Sequence, residues 1–353
     1  MTAAAIAFGI ALAASLGLVA PVRSLALRVG MVDMPGPRKV HATPIPLLGG
    51  VAIYGGVVVA ILALAVVLTM NDRAVAQIIG VLAGATLVAV VGIADDRGLL
   101  HHQIKLFVGM PAAGVILIAS GVRAHLLEAI WPGPAAQAAD IGLTLLWVVG
   151  ITASFSIFDH MDGLCTGVAA MACVFFLIFA GANGQVLVGT LAAAVLGAAL
   201  GFLRWNFNPA KIFLGDGGAM FLGFLMATLG LKLRMAELPH ATSWMIPVLI
   251  LGVPIFDTTL VSISRSRRGL LPFATPGKDH AAHRLANLGL GQRGAVVTLY
   301  ALGAVFGVLA LAVSRVGERA GLAIGGATLA AVLVGVALLE RAPYERQGVE
   351  NRG

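Results

Sequence analysis

Aspartates at the edges of apolar segments are the residues whose types and spacing best suit chemistry in this sequence. Asp95 and Asp96 are adjacent in VGIADDRGLL, Asp159 and Asp162 stand three residues apart in FDHMDGL, and Asp216 lies between glycines in KIFLGDGGAMFLGFL. A carboxylate near lipid is costly unless a cation or a basic group neutralises it. The acids therefore predict either a divalent metal site or a site of proton transfer.

Each acid also has a structural explanation. Asp95 and Asp96 could be a solvated loop pair, and Asp216 could be the N-cap of the apolar helix that follows it. That explanation is weakest for Asp159 and Asp162, because the long apolar stretch around them holds almost no other charge. These two acids share one face if their segment is helical. Oxygen ligands flanked by flexible glycines, as at Asp216, suit Mg²⁺.

Basic and amide side chains recur in the same connecting segments. Lys105 follows the first acid pair by nine residues and is a candidate phosphate contact, and Asn206 lies in NFNPAK. His280, His283 and Arg284 cluster in GKDHAAHRL. Two histidines three apart could bind zinc, but no third soft ligand is evident, and a cationic cluster that grips phosphate groups fits better. A basic loop at a membrane surface would account for the neighbouring arginines but not for the histidines.

Two further polar segments have open roles. Arg38, Lys39 and His41 lie in a proline-rich turn and could either contact a phosphate or lipid headgroup or be purely structural. Asp257 lies inside an apolar segment, where it either supports the site or pairs with Arg265.

The elements that must position these residues are membrane helices. The chain has 353 residues, of which 59% are hydrophobic and 11% charged, and its mean hydropathy is +0.98. Soluble domains carry about 25% charged residues, and a spanning helix needs about 20 mostly apolar ones. The apolar runs are continuous, without the two-residue alternation of a barrel strand, so we predict an all-α polytopic membrane protein. Cys165 and Cys173 form no zinc or redox pattern and are expected to pack in the core.

Loop charge predicts the orientation of the chain. If alternate loops share a side, 17 of the 23 lysines and arginines fall on one side and six on the other, which makes the first side cytoplasmic. All the motifs above then lie on that side, the N-terminus is outside, and the C-terminus is cytoplasmic. We predict a single domain over residues 1–342, a polar cytoplasmic tail at 343–353, and about eleven spans, at residues 3–20, 47–69, 76–94, 104–121, 139–157, 166–182, 185–203, 213–231, 243–263, 295–314 and 320–339.

Taken together, the motifs resemble one family over nearly the whole chain, the polyprenyl-phosphate N-acetylhexosamine-1-phosphate transferases. The order and spacing match that family, and the sequence looks closest to the bacterial branch that loads N-acetylglucosamine phosphate or a related sugar onto undecaprenyl phosphate. The matching segments are VDMPGPRKVHATPIPLLGG, the ADD loop with Lys105, DHMDGL, NFNPAKIFLGDGGAMFLGF, PIFDTT and GKDHAAHRL.

The resemblance implies ten or eleven helices in the bacterial inner membrane, with the site on the cytoplasmic face. It implies a UDP-linked N-acetylhexosamine donor, undecaprenyl phosphate or a similar polyprenyl phosphate as acceptor, and release of UMP in a first membrane step of cell-envelope glycan synthesis. Mg²⁺ is the expected cofactor, with Mn²⁺ as the alternative. The expected partners are these substrates and the membrane lipid, with no nucleic acid; a homodimer is compatible with the sequence.

The resemblance also assigns roles by position. The catalytic residues would be Asp95, Asp96, Asp159 and Asp162; the Mg²⁺ ligands would be Asp216 and Asp95; the substrate contacts would be Asn206 at the uracil and Lys105, His280, His283 and Arg284 at the phosphates. The sequence departs from the family pattern at three positions. Ala153 and Ser156 stand where asparagines are usual, and Ala282 replaces a histidine.

Two other functions are considered. A transporter could use acids within the membrane as a proton relay, but would place several of them at mid-membrane and often shows inverted repeats. A CDP-alcohol phosphatidyltransferase shares the opening Asp159-x-x-Asp162-Gly163, but the rest of that motif is absent after Gly163. The transferase is therefore favoured.

Overall fold

The computed structural model describes residues 2–35, 43–67, 70–235, 237–271 and 277–344 as a bundle of helices with one pair of short strands. Long apolar runs form helices because a helix satisfies its own backbone hydrogen bonds in lipid. Two π-helical turns, Lys105–Gly109 and Ala286–Leu290, directly precede α5 and α14. The elements are α1 (Thr2–Arg28), β1 (Val32–Asp33), β2 (Ile45–Pro46), α2 (Gly49–Val67), α3 (Asp72–Asp96), α4 (His102–Ile104), α5 (Met110–Ala119), α6 (Pro134–Phe158), α7 (Leu164–Ala182), α8 (Val186–Asn206), α9 (Gly215–Lys232), α10 (His240–Ser243), α11 (Met245–Ile250), α12 (Gly252–Arg267), α13 (Ala281–Leu285), α14 (Gly291–Val313) and α15 (Glu318–Glu340).

Eight helical segments in the described part of the chain are long and apolar enough to cross a membrane. A ninth is obtained if α10–α11 and α12, which meet at a bend of 79°, form one span. The prediction of an all-α polytopic membrane protein is confirmed. The count of eleven spans, the orientation of the termini and the division at residue 342 stay predictions. Two predictions fall outside the described residues. They are the contacts at Arg38, Lys39 and His41, and most of the polar tail.

Helix α9 forms the centre of the bundle. Every residue from Gly217 to Gly230 is buried, and α9 packs against α2, α3, α6 and α7. The approach of α3 is close: a Cβ at Gly92 would lie 2.6 Å from the backbone of Asp216. Gly215, at the start of α9, has a φ of +75°, which favours glycine. The glycines around Asp216 thus serve packing as well as conformation.

The chain direction alternates through the bundle, so that the polar motifs come to one end. Helices α3, α6 and α8 end there, while α9 begins there. Strands β1 and β2 pair antiparallel beside them, with Val32 opposite Pro46 and Asp33 opposite Ile45. The Phe213 amide donates to the Pro46 carbonyl at 2.8 Å, which fixes the segment entering α2 against the segment entering α9.

Candidate active site

Lys105 joins two aspartates that are distant in sequence. Its Nζ atom lies 2.6 Å from Oδ2 of Asp95, at the end of α3, and 2.5 Å from Oδ2 of Asp216, in the first turn of α9. The lysine belongs to the π-helical turn before α5, a type of distortion that is frequent at functional sites. The Asp216 side chain is held further by the Ser156 hydroxyl, which donates to Oδ1 at 2.8 Å. The convergence of Asp95, Lys105 and Asp216 expected from the sequence is therefore present.

The adjacent acid, Asp96, caps helix α9. Its Oδ1 and Oδ2 atoms accept hydrogen bonds from the backbone amides of Asp216 at 2.9 Å and Gly217 at 3.2 Å. A carboxylate at a helix N-terminus is stabilised by the free amides and the helix dipole. The structural alternative considered for Asp216, that it is the cap of this helix, is therefore wrong, since Asp96 makes those bonds. We refer to Asp95, Asp96, Lys105 and Asp216 as the acid–lysine cluster.

Asp159 and Asp162 lie in the turn between α6 and α7, not on a helix. The condition under which they would share a helical face is therefore not met, yet both line the same cavity. The Asp162 carboxylate accepts from the Asn208 side chain and the Ala210 amide, each at 3.0 Å. Within the described residues Asp159 makes no hydrogen bond. Burial, followed by repulsion from Asp216 and the other acids, raises the pKa of Asp159 well above its usual range.

Asn206 uses its amide to join two loops. Its Oδ1 atom accepts from the Gly163 amide at 3.1 Å, and its Nδ2 atom donates to the Ile212 carbonyl at 3.0 Å. Tyr300 donates its hydroxyl to the Gly163 carbonyl at 2.6 Å. Asn206 lines the cavity, as a uracil contact must, but it is 3% exposed and both ends of its amide already bind backbone.

The predicted phosphate contacts near residue 280 occupy two environments. His283 lines the cavity. His280 is buried, and its Nδ1 atom lies 2.8 Å from Oδ2 of Asp257, whose Oδ1 accepts from the Ala281 amide at 2.7 Å. Of the two roles considered for Asp257, supporting the site through His280 fits this geometry, because Arg265 pairs with Asp279 instead.

Arg284 is fully buried and does not line the cavity. Its guanidinium donates to the Ser264 hydroxyl at 2.8 Å and the Leu339 carbonyl at 2.7 Å, and Nε donates to the Asp279 carbonyl at 2.8 Å. Asp279 is buried, which opposes its ionisation, but hydrogen bonding and charge from Arg265 lower its pKa to about 2. We refer to these buried, mutually bonded residues as the histidine–arginine cluster, comprising Asp257, Arg265, Asp279, His280 and Arg284.

His160 is a site residue that sequence reasoning missed. Its ring lies 4.0 Å from the ring of His280 and 4.6 Å from that of His283, measured between centroids. Both ring nitrogens are buried and have no hydrogen-bond partner within the described part of the chain. Burial, with the nearby His280 and His283, lowers the pKa of His160 well below its usual range, so its ring is neutral. Its position between Asp159 and Asp162 was the available signal.

A cavity of about 590 Å³ opens beside these groups. That volume suits a ligand of nucleotide-sugar size, since small-molecule sites commonly enclose about 300–1,000 Å³. Asp33, Ser156 and Gln292 were not predicted as site residues; Asp33 and Gln292 line the cavity, and Ser156 reaches it through Asp216. The polar lining residues are Asp33, Asp96, Asp159, His160, Asp162, Asn206, Asn208, Asp216, Lys278, His283 and Gln292.

The donor set fits Mg²⁺ better than a softer metal. Asp159 and Asp216 offer carboxylate oxygens to the cavity, and Asp159 makes no hydrogen bond within the described residues. Mg²⁺ needs only one or two carboxylates when substrate phosphates and water complete its shell. Among the described residues, the group with ligand atoms within 4.8 Å of one another is His160, Asp257 and His280, which is a nitrogen-rich set.

Comparison with known proteins agrees with these features. A sequence model of glycosyl transferase family 4 matches residues 78–234. A probable undecaprenyl-phosphate N-acetylglucosaminyl 1-phosphate transferase of Bacillus subtilis is 34% identical over 311 residues, covering 87% of this chain and 84% of the relative. A decaprenyl-phosphate N-acetylglucosaminephosphotransferase of Mycobacterium tuberculosis is 31% identical over 348 residues, covering 91% and 85%. The predicted resemblance is thereby confirmed, and the chain belongs to glycosyl transferase family 4, among the polyprenyl-phosphate N-acetylglucosamine-1-phosphate transferases.

Proposed function

We propose that the protein transfers N-acetylglucosamine 1-phosphate from UDP-N-acetylglucosamine to undecaprenyl phosphate or a similar polyprenyl phosphate, with release of UMP. The observation that carries the proposal is the joining of Asp95 and Asp216 by Lys105 at the wall of a cavity of nucleotide-sugar size. The names of the relatives support the sugar phosphate and the class of acceptor.

The reaction is a phosphoryl substitution at the sugar-linked phosphorus. An oxygen of the lipid phosphate attacks that phosphorus, the bond to the bridging oxygen of the diphosphate breaks, and its electron pair leaves with UMP. A phosphate monoester has a second pKa near ~6, so the nucleophile is already largely ionised at neutral pH. The protein therefore has to align the two anions and offset their repulsion.

Lys105 supplies positive charge where the anions meet. Asp95 is proposed to act by holding this lysine, because its Oδ2 atom accepts from Nζ, while the same ammonium group adjoins the cavity through its second bond, to Asp216. This disfavours a covalent aspartyl-phosphate at Asp95, which would need that carboxylate free to attack. Lys278 and His283 line the same cavity and are proposed to contact the diphosphate.

Asp216 and Asp159 are proposed as the carboxylates that hold Mg²⁺, with Ser156 orienting Asp216. Bound Mg²⁺ would neutralise the charge that develops on the diphosphate during transfer. Ser156 stands at a position where an asparagine is usual in the family, and its hydroxyl contacts Oδ1 of Asp216 at 2.8 Å. A polar contact to this acid is thus retained by a shorter side chain.

The protein is proposed to lie in the bacterial inner membrane with the cavity at the cytoplasmic face. The excess of lysine and arginine in loops on the cavity side supports this orientation. A homodimer also stays a proposal: of the 23 residues of α15 only Gly321 and Val336 are buried within the chain, so most of its surface faces lipid or a second copy.

The test uses purified protein in detergent with undecaprenyl phosphate and a panel of UDP-sugars. We expect UMP release and a lipid-linked diphosphate sugar with UDP-N-acetylglucosamine, dependence on Mg²⁺, and exchange of labelled UMP into the UDP-sugar. Asp216→Asn is the inactive control, and Asp72→Asn, an exposed acid at the opposite end of α3, is the matched active control. Failure of every UDP-sugar to give product, together with gradient-driven uptake of a solute, would support the transporter instead.

A further inference from the structure

The helices that carry the acid–lysine cluster enclose a second cavity at their opposite ends. This cavity, of about 300 Å³, lies where α3 and α8 begin and where α5 and α9 end. Helix α3 has 25 residues, and at about 1.5 Å per residue it separates the two cavities by about the thickness of the ~30 Å hydrocarbon core. The second cavity therefore lies at the opposite membrane face. We call it the far-face pocket, and its polar lining residues are Arg73, Gln77, Arg123, Gln185, Lys232 and Arg234.

The far-face pocket concentrates positive charge on a face that has little of it. The sequence assigns six lysines and arginines to that face, and four of them line this one pocket. Glu128 is paired with Arg123 at 2.9 Å. Three of the four cations thus lack an acidic partner within the described residues. Basic residues are normally scarce on the outer face. Their convergence on one pocket therefore indicates a binding site for an anion.

The basic groups are held in place by neutral neighbours. The Lys232 Nζ atom donates to Gln77 Oε1 at 2.5 Å, and the Gln185 amide binds the backbone of Arg234 through both its oxygen and its nitrogen, at 3.0 and 2.6 Å. The Arg123 Nη1 atom is buried and has no hydrogen-bond partner in the described part of the chain. Arg123 is ion-paired with Glu128 through Nη2, but a buried donor such as Nη1 is costly to leave unused unless an acceptor binds to it.

A shallow apolar groove, which encloses only about 20 Å³, leads from the far-face pocket toward the hydrocarbon region. It is shared among α2, α3, α8 and the end of α9, and Gln77, Leu187 and Lys232 line both the groove and the pocket. Its other walls are entirely aliphatic. The combination of a cationic pocket and an apolar groove matches a molecule with an anionic head and a hydrocarbon chain. The groove-lining residues are Ile61, Gln77, Ile78, Val81, Leu82, Leu187, Leu191 and Lys232.

We propose that the far-face pocket binds an anionic phospholipid of the outer leaflet, with the phosphate among Arg73, Arg123, Lys232 and Arg234 and the start of one acyl chain against the mouth of the groove. The site is independent of the proposed transferase activity. Lipid bound there would link the ends of α3, α5, α8 and α9, the helices whose opposite ends carry or adjoin the catalytic groups.

The test measures lipid binding by native mass spectrometry of the delipidated protein with dioleoyl phosphatidylglycerol or dioleoyl phosphatidylcholine. We expect the first lipid to bind at least about tenfold more tightly. The double variant Lys232→Gln/Arg234→Gln should raise the Kd for phosphatidylglycerol about 25-fold, the product of two contributions of about fivefold each. The matched control is Arg315→Gln/Arg319→Gln, which removes two exposed arginines at the same face outside the pocket and should change that Kd less than twofold.

Two further measurements are included, one on a single variant and one on competition by inorganic phosphate. Arg73→Gln changes an exposed arginine that makes no hydrogen bond within the described residues, so it preserves the fold if the double variant does not. It should weaken phosphatidylglycerol binding about fivefold. Inorganic phosphate at matched phosphorus concentration should displace little of the lipid, since it lacks a chain for the groove. Equal weakening in both double variants, no weakening in any pocket variant, or full displacement by phosphate would overturn the proposal.

Discussion

The histidine–arginine cluster and the acid–lysine cluster lie at the same end of the helix bundle but use their charges differently. In the first, Arg265, Asp279 and Arg284 are at most 3% exposed and bond to one another or to nearby backbone. In the second, the Lys105 and Asp216 side chains are 19% and 21% exposed, and the carboxylate of Asp216 borders the cavity. Both clusters come from polar motifs of the same kind in an otherwise apolar sequence.

This difference in burial and bonding distinguishes charged groups that stabilise the fold from charged groups that can bind a substrate. A buried ion pair whose donors and acceptors are satisfied has little left to offer a ligand, and breaking it is destabilising. A partly exposed pair such as Lys105 and Asp216 can exchange partners when phosphate or metal arrives. Asp257 connects the two cases, because it holds His280, whose ring packs near His160 and the cavity.

The largest effect is expected at Asp216. Asp216→Asn keeps the size of the side chain but removes the charge that faces Lys105 and the proposed Mg²⁺ position. Transfer, measured as UMP release, should fall by about 10³-fold or more, while the thermal unfolding midpoint stays within a few degrees. Asp72→Asn is the matched control and should retain full activity. An Asp216→Asn enzyme within tenfold of the wild type would show that this acid does not take part in transfer.

The second-largest loss of activity is expected at Lys105. Lys105→Met should lower kcat/KM about 10²-fold, because one charge-assisted contact to the transferring group is removed. Asp95→Asn should cost less, since Asp95 acts by holding the lysine. In the double variant the two losses should not add, because the second change removes an interaction already lost. Additive losses would mean that Asp95 has its own role in the reaction, as a base or nucleophile.

The sequence predicted the helices better than their interruptions. The predicted span 185–203 corresponds to α8 (Val186–Asn206), and 213–231 to α9 (Gly215–Lys232). The sequence predicts one continuous helix over residues 243–263, whereas in the structure the chain bends by 79° near Leu251. Apolar composition continues across the bend, so hydropathy does not reveal it; the cue was Pro254, which lacks an amide for the helical ladder.

The candidate site was predictable as a group of motifs but not as a set of contacts. Asp95, Lys105 and Asp216 meet because adjacent apolar spans must alternate in direction, which hydropathy reveals. The burial of Arg284 depends on Leu339 and Ser264, which come from segments without any functional pattern. Likewise, the packing of His160 against His280 and His283 joins two loops more than 100 residues apart, and nothing local in either loop indicates it.

Arg284→Met tests whether the histidine–arginine cluster stabilises the fold and takes no part in transfer. The change leaves the Leu339 carbonyl and Glu340 without their buried donor, which should cost about 3–5 kcal/mol of unfolding free energy. We expect the unfolding midpoint to fall by roughly 10 °C, with UMP release per folded molecule changed less than about threefold, below the tenfold or greater losses expected of transition-state contacts. The reverse result, an unchanged midpoint with activity lost, would restore the direct phosphate contact predicted from the sequence.

The smallest effect is expected for stability at Asp159. Burial and neighbouring acids raise its pKa in the folded protein, whereas an unfolded aspartate has a pKa of about 3.9. As pH rises above that value the unfolded chain releases the proton first, so the wild type loses stability until the folded pKa is passed. Asp159→Asn has no such loss. Without Mg²⁺, its unfolding midpoint should therefore exceed that of the wild type by a margin that grows as the pH rises from the unfolded pKa toward the raised folded pKa. Added Mg²⁺ should raise the wild-type midpoint at pH 8 and leave the variant nearly unchanged; equal responses of the two proteins would remove Asp159 from the proposed metal site.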